Sequence, residues 1–326
     1  MVKHVQEVGG RLYFRRTIII HGKRTTQRHR LPAYADPAFD VEYQRLLAER
    51  QGIKVVDGSM AQLVFRYRTT PEYRRLAPTT KATRDQYLAM IENKHGDKPF
   101  AALTKGKVKQ LRNEMADTPG AANNFVAVLS VLFKCAIDLE MVAVNPCTGV
   151  ERLRIGEHQP WPARDIERVM NAADPMIRLA VAVHLYTGQR ISDVCRMKWS
   201  DVEDGVIRVR QQKTGKEIWV PIHSRLKDEL ALVPRHLTWL VYNQQGRQMK
   251  PGRLRERLNV IWRRLGIRHR WHGLRKNAVN YMLEAGCSTA EVAGITGQSL
   301  QVVEHYAKGR DVKALARSAM KKWEAK

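Results

Sequence analysis

The sequence has 326 residues, enough for two or three domains that each bury a core of their own. Lysine and arginine number 57 against 32 aspartates and glutamates, and the net charge of +25 favours a polyanionic partner, usually nucleic acid, over a merely solvated basic surface. The four cysteines form no Cys-x-x-Cys pair, and the apolar stretch at 125–133 is shorter than the about 18 residues that cross a bilayer, which argues against a zinc site, a disulfide framework and a membrane segment.

Residues 1–55 are predicted to form a small basic module of two strands and one helix. β-Branched and aromatic residues predict a strand over 11–20 and a second strand over 24–31, joined by a hairpin turn at 21–22. Asp40 is predicted to cap the helix that follows, which would turn its apolar side chains inward. Those side chains are Val41, Leu46 and Leu47.

Basic residues dominate this module, because residues 1–30 contain eight lysines and arginines but only one acidic residue, Glu7. A short strand ribbon with this charge could enter a DNA groove. The alternative is an edge strand whose basic side chains are solvated and prevent edge-to-edge pairing. The candidate DNA contacts are Lys3, Arg11, Arg15, Arg16 and Arg24.

Residues 56–155 are predicted to be almost entirely helical. Thr80 is predicted to cap a helix that ends at Gly96, and Thr104 to start another that closes at 119–120. The strongest helical pattern starts at Asn124 and stops before the Asn-Pro pair at 145–146. Basic residues near the helix starts could reach a phosphate backbone, although such side chains are more often simply solvated. They are Lys81, Arg84, Lys105 and Lys107.

A change of pattern separates this helical region from the rest of the chain. Residues 151–161, with a glycine and nearby prolines, are predicted to be a linker. Beyond it, helices are predicted over 163–173 and 177–186, and a third helix restarts at 191 and continues through 196. Strands are then predicted on both sides of a turn. They cover 206–212 and 217–222, and most of the remaining sequence is helical.

Three residues in this region could take part in phosphate chemistry. Arg190 follows a glycine break, where a helix N-terminus would add backbone N–H groups and a positive dipole end to its guanidinium. Asp193 could orient a nearby arginine or histidine, although an ordinary surface Arg–Asp pair is the commoner finding. Lys213 lies at the predicted hairpin tip, where it is either a proton donor to a leaving alkoxide or an ordinary soluble turn residue.

An imidazole, a guanidinium and a phenol occur together in the last part of the sequence. His272 and Arg275 are three residues apart, so they share one face of a helix. Glycine breaks and a capping box at Ser288 and Glu291 predict two further helices, which return Tyr306 towards that face. The three groups suit a phosphate-like anion, although the same helices also resemble a helix-turn-helix in which Tyr306 only packs.

The order Arg190, Lys213, His272, Arg275 and Tyr306 resembles the tyrosine recombinase (phage integrase) family. The neighbouring residues match it as well, with Tyr-Thr-Gly-x-Arg-x-Ser-Asp, Lys-Thr-Gly-Lys and His-x-Leu-Arg. The resemblance covers the whole chain and implies a mainly α fold with small β elements. It implies a β-ribbon and helix arm-type DNA-binding domain at 1–55, a helical core-binding domain at 56–155, and a mixed α/β catalytic domain at 156–326 with a C-terminal tail helix.

The resemblance also implies an activity, the integration or excision of a mobile element by site-specific DNA recombination. Arg190 and Arg275 would hold the oxygens of the scissile phosphate, and Tyr306 would attack phosphorus to give a 3′-phosphotyrosyl link. Lys213 would protonate the leaving 5′-oxygen, with His272 assisting and Asp193 orienting the pocket. Because the covalent link conserves the phosphodiester energy, neither a cofactor nor a metal is expected.

One position departs from the family pattern. The family usually has histidine, sometimes tryptophan, after the glycine at 297, whereas this chain has Gln298. An amide can donate a hydrogen bond to a phosphate oxygen but carries no charge. Gln298 is therefore expected to position the phosphate, without the charge that histidine could supply.

The resemblance implies double-stranded DNA attachment sites, a homotetramer on DNA, and a cytoplasmic, nucleoid-associated protein that needs no membrane. A DNA-bending host protein and an excisionase would be accessory partners. The tail from residue 311 carries an apolar helical stripe that could dock on a neighbouring protomer or fold back on its own core. The stripe consists of Val312, Leu315, Ala316, Ala319, Met320 and Trp323.

Two other functions stay open at the level of sequence. A type IB topoisomerase would share the phosphotyrosine chemistry but relax a single duplex, and the arm-like N-terminal module argues against it. A non-catalytic helix-turn-helix regulator would account for the charge and the last helices. It would leave Arg190, Lys213 and His272 without an explanation.

Overall fold

The structure is a computed structural model that describes residues 4–20, 23–36, 38–53, 55–236 and 238–307, together with 316, 320, 323 and 324. The chain divides into two compact units, Met1–Gly156 and Glu157–Lys326. Helices dominate both units, and the described residues form two three-stranded sheets. Lys3, the predicted hairpin turn at 21–22 and half of the C-terminal apolar stripe (Val312, Leu315 and Ala319) lie outside the described residues.

The N-terminal sheet has three antiparallel strands in the order β1-β2-β3. Successive side chains of β2 point to opposite faces, so Leu12 and Phe14 are buried while Arg11 and Arg15 are exposed. The apolar face packs against helix α1 in a small core. The two predicted strands are therefore confirmed. The elements are β1 (Val5–Val8), β2 (Arg11–Ile20), β3 (Lys23–Leu31) and α1 (Ala38–Arg50).

The predicted cap of α1 at Asp40 is wrong. The helix begins at Ala38, whose N–H donates to Asp36 Oδ1 at 2.8 Å, and Asp40 lies inside the first turn. There the Asp40 carboxylate accepts from Arg74 Nη1 at 3.1 Å. The shifted start also changes the inward face, because Val41 is 47% exposed rather than buried.

Five further helices complete the first unit around a second apolar core. Thr104 caps α5 as predicted, since its side chain accepts from the Lys107 N–H at 3.3 Å. The predicted starts at Thr80 and Asn124 are wrong, because α4 and α6 begin earlier, at prolines whose fixed φ suits the first helical position. The helices are α2 (Met60–Arg68), α3 (Pro71–Arg74), α4 (Pro78–His95), α5 (Lys105–Asn113) and α6 (Pro119–Asp138).

Within the part of the chain that the structure describes, α6 is the one helix long and apolar enough to cross a bilayer. The sequence had suggested no such segment, because its uninterrupted apolar stretch is short. Phe125, Leu129 and Leu132 of α6 are each at most 2% exposed and lie in the core of the first unit. Packing against that core accounts for the apolar character of this helix.

The second unit surrounds a small antiparallel sheet, ordered β4-β5-β6, with helices. The predicted helices and the hairpin are confirmed to within about two residues at each end, and the two-residue strand β4 was not predicted. The elements are α7 (Ala163–Ala172), α8 (Pro175–Thr187), α9 (Ile191–Val194), β4 (Val202–Glu203), β5 (Val206–Arg210), β6 (Glu217–Pro221), α10 (Ser224–Ala231), α11 (Pro251–Leu265), α12 (Trp271–Glu284), α13 (Thr289–Thr296) and α14 (Leu300–Ala307).

The last residues of the predicted linker pack into the second unit. Trp161 is only 2% exposed, and its backbone N–H and C=O both bond to the Asn277 side chain, at 2.7 and 2.8 Å. The indole Nε1 donates to the Arg270 carbonyl at 2.8 Å. A Cβ on Gly273 would lie 2.5 Å from the Gln159 carbonyl oxygen, so glycine is required at this point of α12. Residues 157–161 are thus seated on the helix that carries His272 and Arg275.

Candidate active site

Arg275, on α12, is a deeply buried charged side chain of the candidate site, at 2% exposure. Nη1 donates to the Gly188 carbonyl at 2.7 Å, and Nη2 donates to the Thr296 carbonyl at 3.1 Å. Burial, and then the charge of Arg190, lower the pKa of Arg275 to about 10, while Asp193 and Tyr306 act in the opposite direction. A guanidinium has five N–H donors, so others stay available to an incoming anion.

Gly188 forms the tight turn that brings α8 against Arg275. It adopts a left-handed conformation, with φ of 62°, and ends α8 as the sequence predicted. A Cβ at this position would lie 2.9 Å from Thr296 Cγ2 and 3.2 Å from Ala278 Cβ. Glycine is therefore needed both for the backbone conformation and for the close approach of α12 and α13.

Arg190 follows this turn as the residue that precedes α9, and its side chain is half-buried. Nη1 donates to Gln211 Oε1 at 3.4 Å, which is a long hydrogen bond. No carboxylate forms an ion pair with Arg190 among the described residues. The positive charges of Arg190 and Arg275 repel one another, because the charge of Arg190 lowers the pKa of Arg275. A phosphate between them would relieve this repulsion.

Asp193 is 2% exposed and lies close enough to stabilise the charge of Arg275. Its Oδ1 accepts from the Gln212 backbone N–H at 2.9 Å. Its Oδ2 is buried and has no hydrogen-bond partner among the described residues. The residue thus anchors the β5–β6 turn, which fits the predicted orienting function.

Tyr306 lies on α14, half-buried against an apolar cluster of α12 and α13. The capping box of Ser288 and Glu291 is confirmed, so α13 begins where the sequence placed it. The Tyr306 phenol is near enough to affect the pKa of Arg275, and Lys276 Nζ lies 5.2 Å from its ring centroid. The structure therefore brings the predicted phenol and guanidinium to one place.

Glu157 joins two basic side chains beside Tyr306. Its carboxylate accepts from Lys276 Nζ at 2.9 Å and bonds to His305 Nε2 at 3.2 Å. These bonds, that to Lys276 first, lower the pKa of Glu157. The residue was not singled out in the sequence, because a lone glutamate in a linker carries no local pattern.

The His272 ring lies 5.2 Å from the ring of His158 in an edge-on arrangement. It keeps an exposed edge, but burial against its neighbours, and then the charges of His158 and Arg275, lower its pKa to about 4. The imidazole is therefore neutral near pH 7. A neutral ring can accept a proton from a phenol, and a bound phosphate would stabilise the protonated form.

Two of the predicted site residues, Gln298 and Lys213, have side chains that form few interactions with the described residues. Gln298 follows the left-handed Gly297, its N–H reaches Thr296 Oγ1 at 3.4 Å, and its buried Oε1 has no partner among the described residues. Lys213 lies in the exposed turn between β5 and β6, and its ammonium forms no ion pair with a carboxylate among the described residues. Within the described ranges, no group of three His, Cys, Asp or Glu side chains could hold a metal ion.

The predicted DNA contacts of the first unit fall into two groups. Arg11, Arg15, Arg24, Lys105 and Lys107 are exposed, and Arg16 is half-buried. Lys81 and Arg84 instead contact tyrosine rings. Lys81 Nζ lies 4.5 Å from the Tyr73 centroid, and Arg84 bonds to the Tyr67 hydroxyl. These two cations therefore also stabilise the first unit itself.

A buried histidine behind the site should make the protein sensitive to acid. His184 is 2% exposed, neither ring nitrogen has a partner among the described residues, and burial lowers its pKa to about 3. The unfolded chain binds this proton near pH 6.5, so stability is lost as pH falls from about 6.5 towards 3, at up to about 1.4 kcal/mol per pH unit. His184→Leu should reduce this dependence.

Thermal unfolding between pH 7 and pH 5 measures the effect. His184→Leu should lose less of its melting temperature than the wild-type chain over this range. The exposed His29 gives a matched control, and His29→Leu should follow the wild type. Equal slopes for His184→Leu and the wild type would show that His184 does not cause the acid sensitivity.

Residues 162–312 match the phage integrase family. The integrase of Escherichia phage HK022 is 31% identical over 163 residues, which cover 48% of this chain and 46% of the relative. The integrase of Escherichia phage lambda is 30% identical over 131 residues, which cover 38% of this chain and 37% of the relative. The matched sequence thus spans under half the length of either curated relative.

Solved structures resemble the chain over a larger part of its length. A lambda integrase dimer bound to a COC′ core site covers 95% of this chain and 97% of its own, with a TM-score of 0.69 and 19% identity. The Tn1549 transposon integrase in complex with circular intermediate DNA covers 80% of this chain, with a TM-score of 0.64 and 17% identity. These likenesses establish the mainly α fold with small sheets. Within this fold, residues 162–312 carry the part of the chain that matches the phage integrase family.

Proposed function

We propose that the chain is a tyrosine site-specific recombinase, which cuts and rejoins DNA strands through a 3′-phosphotyrosine intermediate. The observation that carries the proposal is the convergence of two guanidinium groups and a phenol, from Arg190, Arg275 and Tyr306, in one site. Among the described residues no carboxylate forms an ion pair with either guanidinium, and two such cations held together are best matched by a phosphate with developing negative charge.

The proposed chemistry is a transesterification at phosphorus. The Tyr306 oxygen bonds to phosphorus while the bond to the 5′-oxygen breaks, and Arg190 and Arg275 stabilise the charge on the non-bridging oxygens. The neutral His272 takes the phenol proton, and Lys213 gives a proton to the departing 5′-oxygen. Gln298 donates a hydrogen bond to the phosphate. The reverse reaction with a 5′-hydroxyl of another duplex exchanges strands.

The N-terminal part of the chain is proposed to hold the DNA. Its exposed basic ribbon suits arm-type sites and the domain at 1–55, while the helical domain at 56–155 suits the core site. One solved structure in this family is a lambda integrase tetramer bound to a Holliday junction, and we propose the same assembly here. A DNA-bending protein and an excisionase would assist it in the cytoplasm, at the nucleoid.

The two alternative functions are not favoured. A type IB topoisomerase would have no need of the basic N-terminal ribbon, and the matched relatives bear the name integrase. A purely DNA-binding regulator leaves the buried Arg275 and the neutral His272 unexplained. Integration or excision of a mobile element is therefore the proposed biological reaction.

Trapping on a nicked substrate tests the proposed function. Binding selection first recovers the preferred duplex, which is then made with a nick just 3′ of the scissile phosphate, so that the short 5′-hydroxyl fragment diffuses away. The wild-type chain should accumulate a covalent adduct that resists SDS, and mass spectrometry should locate the nucleotide on Tyr306. Tight binding to the recovered site with no adduct would contradict the recombinase proposal.

A further inference from the structure

Gln211 is a neutral side chain at the centre of the site, and the mechanism above does not use it. It lies directly after β5, is 1% exposed, and makes four side-chain hydrogen bonds. Nε2 donates to Gln189 Oε1 at 2.7 Å and to the Thr296 carbonyl at 2.9 Å. Oε1 accepts from Thr214 Oγ1 at 2.9 Å and from Arg190 Nη1 at 3.4 Å. An amide has two N–H donors and two acceptor lone pairs, so its capacity is fully used.

The backbone of Gln211 closes the turn that carries Lys213. Its N–H donates to the Lys216 carbonyl at 2.8 Å, and its C=O accepts from the Gly215 N–H at 2.9 Å. Together with the Thr214 hydroxyl, these bonds fix the residues on both sides of Lys213. The backbone of the turn is thus held by hydrogen bonds to Gln211, although the Lys213 side chain itself is exposed.

The same amide reaches the arginine pocket. The Thr296 carbonyl that accepts from Gln211 also accepts from Arg275 Nη2 at 3.1 Å. Gly297 fits closely against the amide, because a Cβ there would lie 2.5 Å from Gln211 Nε2. One side chain therefore connects the Lys213 turn with both guanidinium groups.

We propose that Gln211 is a positioning residue that holds the Lys213 turn in register with the arginine pocket, so that the lysine meets the leaving 5′-oxygen. The proposal rests on the proposed function. A neutral amide suits this position, because a carboxylate would lose both N–H donors and would pair with Arg190, whose charge the phosphate requires. Gln211 acts only through Lys213 and the arginines and does not touch the reacting atoms.

A change of leaving group distinguishes two possible functions of Gln211. Gln211 either positions Lys213 for proton donation or only stabilises the fold. During cleavage the Tyr306 oxygen bonds to phosphorus, the bond from phosphorus to the 5′-oxygen breaks, and the Lys213 ammonium gives that oxygen a proton. A substrate with sulfur as the 5′-bridging atom releases a thiolate. It needs no proton, because a thiol, with a pKa near 8.5, is far more acidic than water at 15.7. Defects in proton donation should disappear on this substrate.

Cleavage is therefore measured on matched nicked duplexes with oxygen or sulfur at the bridging position. On oxygen, Gln211→Met should cleave roughly 100-fold more slowly and Thr214→Val roughly tenfold more slowly than the wild type. On sulfur, Thr214→Val should match the wild type, and Gln211→Met should recover most of its loss. Lys213→Ala should show the same pattern, which provides the reference for loss of the proton donor.

Controls separate failure of this inference from failure of folding or of the proposed function. Thr214→Ser keeps the hydroxyl and should restore the rate, and Gln212→Ala changes an exposed side chain of the same turn without losing its bonds. If Gln211→Met unfolds, the comparison of Thr214→Val with the wild type tests the inference by itself. The Thr214 side chain is exposed, so its replacement should not unfold the protein. Unchanged cleavage on oxygen, or equal losses on both substrates, would overturn the inference, whereas no adduct from the wild type would overturn the recombinase proposal.

Discussion

Tyr306→Phe should bind DNA as the wild type does and form no covalent adduct. The substitution removes only the hydroxyl, which has no hydrogen-bond partner among the described residues, and the ring keeps its packing against α12 and α13. Lys276 also keeps an aromatic face beside it. Loss of a nucleophile removes the reaction path itself, so we expect the cleavage rate to fall by roughly 10⁵-fold or more.

Adduct formation on the nicked duplex and binding by gel shift measure the two expectations separately. Tyr281, which also lies on the second unit and is 39% exposed, gives a matched control. Tyr281→Phe should form the adduct at the wild-type rate. A Tyr306→Phe protein that still becomes covalently attached would assign the nucleophile to another residue.

Removal of either guanidinium should have the second largest effect. Arg190→Ala and Arg275→Ala should each lower cleavage by roughly 10³-fold or more, as expected for an arginine that stabilises a phosphoryl transition state. DNA binding should fall only modestly, because many other phosphate contacts remain. Arg275→Lys should restore little activity, since an ammonium cannot bond to both carbonyls that Arg275 contacts and to a phosphate at once.

The two arginines should differ in what they do for stability. Arg275→Ala leaves the carbonyls of Gly188 and Thr296 without this donor in a buried place, so its melting temperature should fall. Arg190 is half-buried and its side chain makes one long hydrogen bond. Arg190→Ala should therefore change the melting temperature little. Arg196→Ala, at an exposed arginine nearby, should cleave normally. Near-normal cleavage by Arg190→Ala and Arg275→Ala together would remove both residues from the proposed mechanism.

The fold could be predicted where local chemistry decides it. Gly188 as a helix end, Thr104 as a cap and the capping box at Ser288 and Glu291 depend on residues a few positions apart, and all are confirmed. The starts of α1, α4 and α6 were wrong because several polar residues could serve as caps. In α4 and α6 a proline upstream of the predicted cap set the start instead.

The candidate site, like the fold, could be predicted only in part. Its charged residues are visible in the sequence because their types and spacing suit a phosphate. The Gln211 network and the link from Glu157 to Lys276 could not be predicted, since they join residues 85 and 119 positions apart through backbone carbonyls or a single carboxylate. An amide bonded to a carbonyl leaves no pattern in a linear sequence, because any polar residue could occupy either position.

The seating of residues 157–161 on α12 sets a lower limit for any catalytic fragment cut from this protein. A fragment that starts at 162, where the family match begins, would lack Trp161 and leave the Asn277 amide without two partners. It would also lack the carboxylate that Lys276 contacts. The shortest fragment that keeps these contacts therefore starts at or before Glu157, inside the segment that the sequence alone predicts to be a linker.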